Sequence, residues 1–154
     1  MITLLETLVE GADGSYATKQ DLRNLEHVML TWAERKEAYL AIEANENKIV
    51  DRMISLMQAS KIFDEAMNVF GAECCRRDMT LTLRSHALAM LLQDEEMLKD
   101  RVLYWQTNVL QSMGLQKYQG YKFLIESIYL ELSKQHADLL KPYIKLADDM
   151  IHNN

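Results

Sequence analysis

The only two thiols in the chain, Cys74 and Cys75, stand side by side against Arg76, Arg77 and Asp78 in the stretch AECCRRDMTLTLRS. Residues three and four apart on a helix share a face, so Cys75, Asp78 and Thr82 would line up a thiol, a carboxylate and a hydroxyl along one groove. Arg76 and Arg77 are expected to favour the thiolate and so raise its nucleophilicity. A nucleophilic thiol beside an anion-binding arginine and a carboxylate that accepts hydrogen bonds suits a ligand carrying negative groups and N–H donors. The same residues admit a plainer reading, a half-buried cysteine above a surface Arg–Asp pair. Adjacent cysteines are badly placed to bridge each other and no third thiol exists, so no structural disulfide within the chain is expected. One helical step of about 100° separates Cys74 from Cys75, which keeps both from attacking one ligand atom. Cys74 reads as a small buried filler.

Positioning such a face requires a helix, and the composition supplies little else. With one proline, Pro142, and five glycines in 154 residues, the chain has few breaks and few hairpin turns. A short helix is expected over residues 2–10, ended by GADGS. Thr18 is expected to cap the next helix, with Asp21 three residues on as a weaker capping box. The apolar period then runs to Met57 and requires a break near 31–35 or 44–46, so two helices share residues 19–59. After a turn at residues 60–63, a helix from about Asp64 carries Cys75 to Leu92. The run QDEE at 93–96 caps and charges the start of a helix reaching Met113, where Gly114 stops it. A long helix over about Tyr118 to Ala137 follows, and Pro142 is expected in the first turn of a last helix, with Asp138 or Leu139 just outside it. Seven or eight helices in a chain this size fit a globin-like all-α bundle, one domain over residues 1–154.

Net charge is −6 with no local basic run, which argues against nucleic-acid binding. The N-terminal stretch MITLLETLVEGADGS carries Glu6 and Glu10 and lacks a basic start, so it does not read as a signal peptide. No apolar stretch approaches a membrane span, and a cytoplasmic protein is expected. His86 lies on the Cys75 helix and invites a haem reading in a globin-like bundle, but His27, His136 and His152 form no evident pair with it. No His/Cys spacing resembles a zinc site. Glu95 and Glu96 read as a helix start, and the methionines, among them Met53, Met57, Met67, Met79, Met90 and Met97, as core fillers. Tyr104 and Trp105 are read as core packing before a pocket or an interface. No nucleophile–base–orienter set is present, so an enzyme is not expected.

The run CRRDMTLTLRSHALAMLLQDEEMLKDRVL, residues 75–103, resembles the chromophore helix and following turn of the phycobiliproteins, the phycocyanin and allophycocyanin family. That pattern is Cys-x-Arg-Asp, an aromatic pair, Leu-Arg, an apolar run and Gly-Asp. Cys75, Arg77, Asp78, Leu83, Arg84 and Asp94 fall on it without a gap. Upstream, LRNLEHVMLTWAERKEAYLAIEANENKIV is similar to the family's first two globin-type helices, including Glu34 and Arg35, and VEGADGSYATKQDL to its N-terminal segment. After residue 105 the agreement is in helix pattern more than in identities.

The resemblance implies an N-terminal helical extension (residues 1–17) on a globin-like core (18–154). It also implies a covalently bound linear tetrapyrrole of phycocyanobilin type, thioether-linked at Cys75. Asp78 would accept hydrogen bonds from the central pyrrole N–H groups, Arg77 would pair with a propionate, and Thr82 would extend the binding face. Asp94 corresponds to a turn residue that caps the next helix. Asp13 and Arg84 correspond to charged residues at the contact between paired subunits. Implied partners are a second copy or a related subunit, other phycobilisome components and a bilin lyase, in the cytoplasm or at the cytoplasmic face of the thylakoid. The implied activity is light absorption in a minor antenna or a photosensor. The alternatives are a chromophore-free scaffold acting through protein contacts, and a haem-binding globin-type sensor. Three departures stand out. The aromatic pair is here Leu81-Thr82. The segment between Val50 and Cys75 is shorter and lacks the Pro/Gly-rich loop that walls the chromophore. Gln93 replaces the glycine before Asp94, which predicts a less extreme turn.

Overall fold

A computed structural model describes residues 1–60, 63–113 and 120–152, with side chains placed in all of these except 63–74. The described residues form helices and no strand: α1 (Ile2–Gly11), α2 (Lys19–Leu30), α3 (Trp32–Ala59), α4 (Phe63–Leu92), α5 (Glu95–Leu98), a π-helical turn (Lys99–Leu103), α6 (Tyr104–Ser112), α7 (Gly120–Glu131) and α8 (Lys134–His152). The fold is the expected globin-like, all-α one. Thr18 and Asp21 form a complete capping box: the Asp21 N–H donates to Thr18 Oγ1 at 3.2 Å, and the Thr18 N–H donates to the Asp21 carboxylate at 2.9 Å. The expected break falls at Thr31, between α2 and α3. Gly114, expected to end the helix before it, lies outside the described residues.

The centre of the molecule is α3, which packs against α4, α7 and α8. Its buried stripe of Ala38, Ile42, Ile49, Val50, Met53 and Met57 meets Leu83, Ala87 and Met90 of α4, Leu124 and Ile128 of α7, and Leu140, Ile144 and Ala147 of α8 within one hydrophobic core. Met53, Met57, Met79, Met90 and Met97 are core residues, as read; the side chain of Met67 is outside the described set. α3 ends at Ala59 and α4 begins at Phe63, so the segment before Cys75 is helical and the two helices form a hairpin with a short connection.

Two local expectations are corrected. α7 ends at Glu131, and Pro142 lies inside α8, well past its first turn. Ser133 begins α8 by accepting the His136 N–H at 3.2 Å, and the buried face Ala137, Leu140, Tyr143, Ile144, Ala147 and Ile151 carries the helix through the proline. Burial of that face outweighs a lost hydrogen bond and a ring clash worth about 3 kcal/mol. Pro142 itself is exposed. Pro142→Ala is therefore expected to stabilise the fold by about 2 kcal/mol, read as a raised urea midpoint at unchanged slope. The second correction is Gln93, whose φ of +50° keeps the turn left-handed without a glycine.

Asp94 holds that turn and the first helix together. Its carboxylate accepts the Met97 N–H at 3.0 Å, capping α5, and the Thr3 N–H and hydroxyl, each at 2.8 Å; the Met1 ammonium lies at 3.1 Å. Burial alone would raise its pKa, but these donors hold it down at about 2. α1 contributes no fully buried residue; Ile2 packs against the core, and this polar anchor ties the first turn of α1 to the start of α5.

Candidate functional site

The face read as chemical lies on α4, which α3 positions from behind. Two ion pairs fasten the hairpin along its exposed flank: Arg76 with Asp51, and Arg84 with Glu46 in a two-pronged contact of 2.6 and 2.7 Å. Arg77 donates to the neighbouring Asp78 carboxylate at 3.1 Å. Both arginines that follow Cys75 are thus engaged by carboxylates. The Cys75 thiol, half-buried, has its pKa pushed up, first by burial and then by the negative charge of Asp78. This reverses the expectation of a thiolate stabilised by Arg76 and Arg77. Burial and the Asp78 charge thus disfavour the thiolate at this site.

Cys75 and Asp78 are brought together as the spacing requires, both partly accessible on the same stretch of helix. Thr82, two turns further, is buried and consumed by packing. Its Oγ1 accepts from Gln106 Nε2 at 3.4 Å, and Gln106 Oε1 accepts from the Tyr121 hydroxyl at 2.5 Å. The Thr82 carbonyl accepts from His86 Nδ1 at 2.7 Å. A carbonyl only accepts, so the His86 proton sits on Nδ1; Nε2 meets no hydrogen-bond partner among the described residues. Burial lowers the His86 pKa to about 4, against the smaller opposing effect of the Thr82 carbonyl. His86, on which the haem reading rests, is a wholly buried core side chain with its ring 5.6 Å from that of Tyr121.

Gln106 and Tyr121 were not legible as part of this network, because the contacts join residues far apart in the chain. A polar residue at a core-facing position was the only available signal. Tyr104 and Trp105, read as core, are exposed instead. Leu81 is also exposed, one residue from Thr82. The side chain of Cys74 lies outside the described set.

Asp13 is exposed in the turn after α1, and Arg84 is exposed on α4 with its guanidinium held by Glu46. The chain does not bring these two together. Near Asp13, Val9, Tyr16 and Leu22 leave apolar surface uncovered, as do Met29, Leu30 and Leu40 on α2 and α3. Glu95 and Glu96 form the acidic first turn of α5, as read. Among the described residues, no cluster of three His, Cys, Asp or Glu side chains could hold a metal ion, and no helix is long and apolar enough to cross a membrane.

No curated protein matches the chain at a significant level. A family model described as Phycobilisome protein matches residues 8–151.

Proposed function

This chain belongs to the phycobilisome protein family, and on that premise we propose that it carries a linear tetrapyrrole on Cys75 and acts as a minor antenna or photosensory pigment protein. The observation that carries the reading is the pairing of Cys75 and Asp78, a half-buried thiol and a partly open carboxylate on one stretch of α4. The group supplies a conjugated π system that absorbs visible light. The thiol supplies the anchor by adding across a carbon–carbon double bond of the bilin: a bond from sulfur to one carbon forms, the π bond breaks, and the proton goes to the adjacent carbon. No oxidant and no leaving group are needed. Burial and Asp78 disfavour the thiolate, so assistance from a separate bilin lyase is part of this reading.

In this reading Asp78 accepts the pyrrole N–H groups. Arg77 exchanges it for a propionate at little cost, since an exposed ion pair contributes less than about 1 kcal/mol. Thr82 acts as support from beneath the site, through its bond to Gln106. The uncovered apolar residues of α1, α2 and the start of α3 suit a docking surface for a second copy or a related phycobiliprotein subunit, with Asp13 and Arg84 as its charged partners. Such an assembly places the chain in the cytoplasm, at the thylakoid face where it joins a phycobilisome.

A second reading, a chromophore-free adaptor, draws on the tight α3–α4 hairpin, which replaces a long loop beside Cys75 with helix. Co-expression with bilin-producing enzymes and a lyase separates the two. The pigment reading expects visible absorption and zinc-enhanced fluorescence on a denaturing gel, both lost in Cys75→Ala. A colourless wild-type chain supports the adaptor, and fluorescence that survives Cys75→Ala overturns attachment at Cys75.

A further inference from the structure

Gln106 stands on α6 at its seam with α4 and is only partly buried. Two hydrogen bonds fix its carboxamide. The Tyr121 hydroxyl donates to Oε1 at 2.5 Å, which turns the amide nitrogen toward α4, and there one Nε2 hydrogen goes to Thr82 Oγ1 at 3.4 Å. An amide nitrogen carries a second hydrogen. That one meets no acceptor among the described residues.

The uncommitted donor lies next to the face that bears Asp78. Thr82 follows Asp78 by one helical turn, so their Cβ atoms stand about 6 Å apart on one side of α4. The amide bonded to Thr82 and the Asp78 carboxylate are therefore close neighbours contributed by two helices. Around the α4 axis, Arg77 leaves about 100° to one side of Asp78 and Thr82 about 40° to the other. Arg77 donates to Asp78 at 3.1 Å. An acceptor carboxylate thus stands between two donors, a guanidinium on one flank and a held amide on the other. A ligand that gives N–H groups to Asp78 can bring an anionic group to either flank, but an anion so near Asp78 is repelled unless a donor faces it.

We propose that Gln106, through its uncommitted Nε2 hydrogen, binds one propionate of the tetrapyrrole whose pyrrole N–H groups go to Asp78, while Arg77 takes the other. The inference rests on the bilin reading above. A hydrogen bond from a neutral amide to a carboxylate is charge-assisted and stronger than one between neutral groups. Tyr121, by holding Oε1, keeps Gln106 from turning its own oxygen toward that anion.

The test measures binding of added biliverdin, and of biliverdin dimethyl ester, to the full chain carrying Cys75→Ala, in which binding is reversible. Gln106→Glu keeps the side-chain length and an oxygen for the Tyr121 hydroxyl but puts an anion in place of the donor. Gln106→Met removes the donor and adds no charge. Far-UV circular dichroism and the urea midpoint verify that both variants fold. Gln106→Glu is expected to weaken biliverdin binding about tenfold or more and Gln106→Met about three- to tenfold, while the ester, which has no carboxylate, loses less than about threefold with Gln106→Glu. If Gln106→Met binds biliverdin as tightly as its parent, or Gln106→Glu weakens the ester as much as the acid, the propionate contact is wrong and the bilin reading stands. If the wild-type chain attaches no bilin and the Cys75→Ala chain binds no biliverdin, the functional reading falls, and the Gln106 contact with it.

Discussion

Replacing Arg35 by Met is expected to lower the unfolding free energy by about 3 kcal/mol, enough to shift a urea midpoint strongly at neutral pH. The residue is 3% exposed at the start of α3, yet it carries a charge. Its guanidinium donates to the Val28 carbonyl in the last turn of α2, to the Leu91 carbonyl in the last turn of α4, and to Thr31 Oγ1 at 3.3 Å. It also lies 5.7 Å from the centre of the Trp32 ring. One fork thus satisfies carbonyls at two helix C-termini, where a positive charge is also favoured by the helix dipoles. Burial lowers the Arg35 pKa, but arginine keeps its proton. Methionine would keep the apolar stem and leave both carbonyls without their donor. Lysine, with its donors on one atom, cannot span them and should recover only part of the loss. A loss below about 1 kcal/mol for Arg35→Met would show that water replaces the guanidinium without penalty.

Stability should also fall by about 3 kcal/mol as pH is lowered from 6.5 to 4, with His86 as the cause. Above that window His86 is neutral in both the folded and the unfolded chain. Within it, the unfolded chain takes up a proton that the buried folded imidazole does not. The unfolded state then binds more protons, so unfolding becomes easier as pH falls. The stabilisation is complete above the unfolded pKa and is lost by the time pH reaches about 4. Asp94 adds a separate loss further down, because its folded pKa of about 2 lies below the ordinary 3.8; its contribution is present above the ordinary value and disappears as pH approaches 2. Urea midpoints measured at several pH values for wild type and His86→Leu check the assignment. The variant should lose the slope between pH 6.5 and 4, and an unchanged slope would assign it to another group.

These expectations rest on features that sequence patterns carried unequally. The Thr18–Asp21 cap, the break at Thr31 and the Asp94 start of α5 are local events, governed by side chains a few residues from the backbone they satisfy, and they were legible. Pro142 was misplaced because a proline signals a helix start only when no apolar face runs through it, and the α8 face does. Trp105 was misplaced because the π turn shifts the helical phase without a sequence signature. At the site, the Cys75–Asp78 spacing was enough to put both on one face. The chemistry of the thiol was not legible. Its neighbours in sequence, Arg76 and Arg77, are bound to Asp51 and Asp78, while burial, a tertiary property, sets the direction of its pKa. Thr82 met the same limit, since its partner Gln106 lies on another helix.

The proposed attachment assigns the pigment to Cys75 and not to its neighbour. Tandem mass spectrometry of the tryptic peptide ending at Arg76, from the chain co-expressed with bilin synthesis and a lyase, reads both thiols at once. Bilin is expected on Cys75, with Cys74 unmodified. Bilin on Cys74, or a peptide with two free thiols, would contradict it.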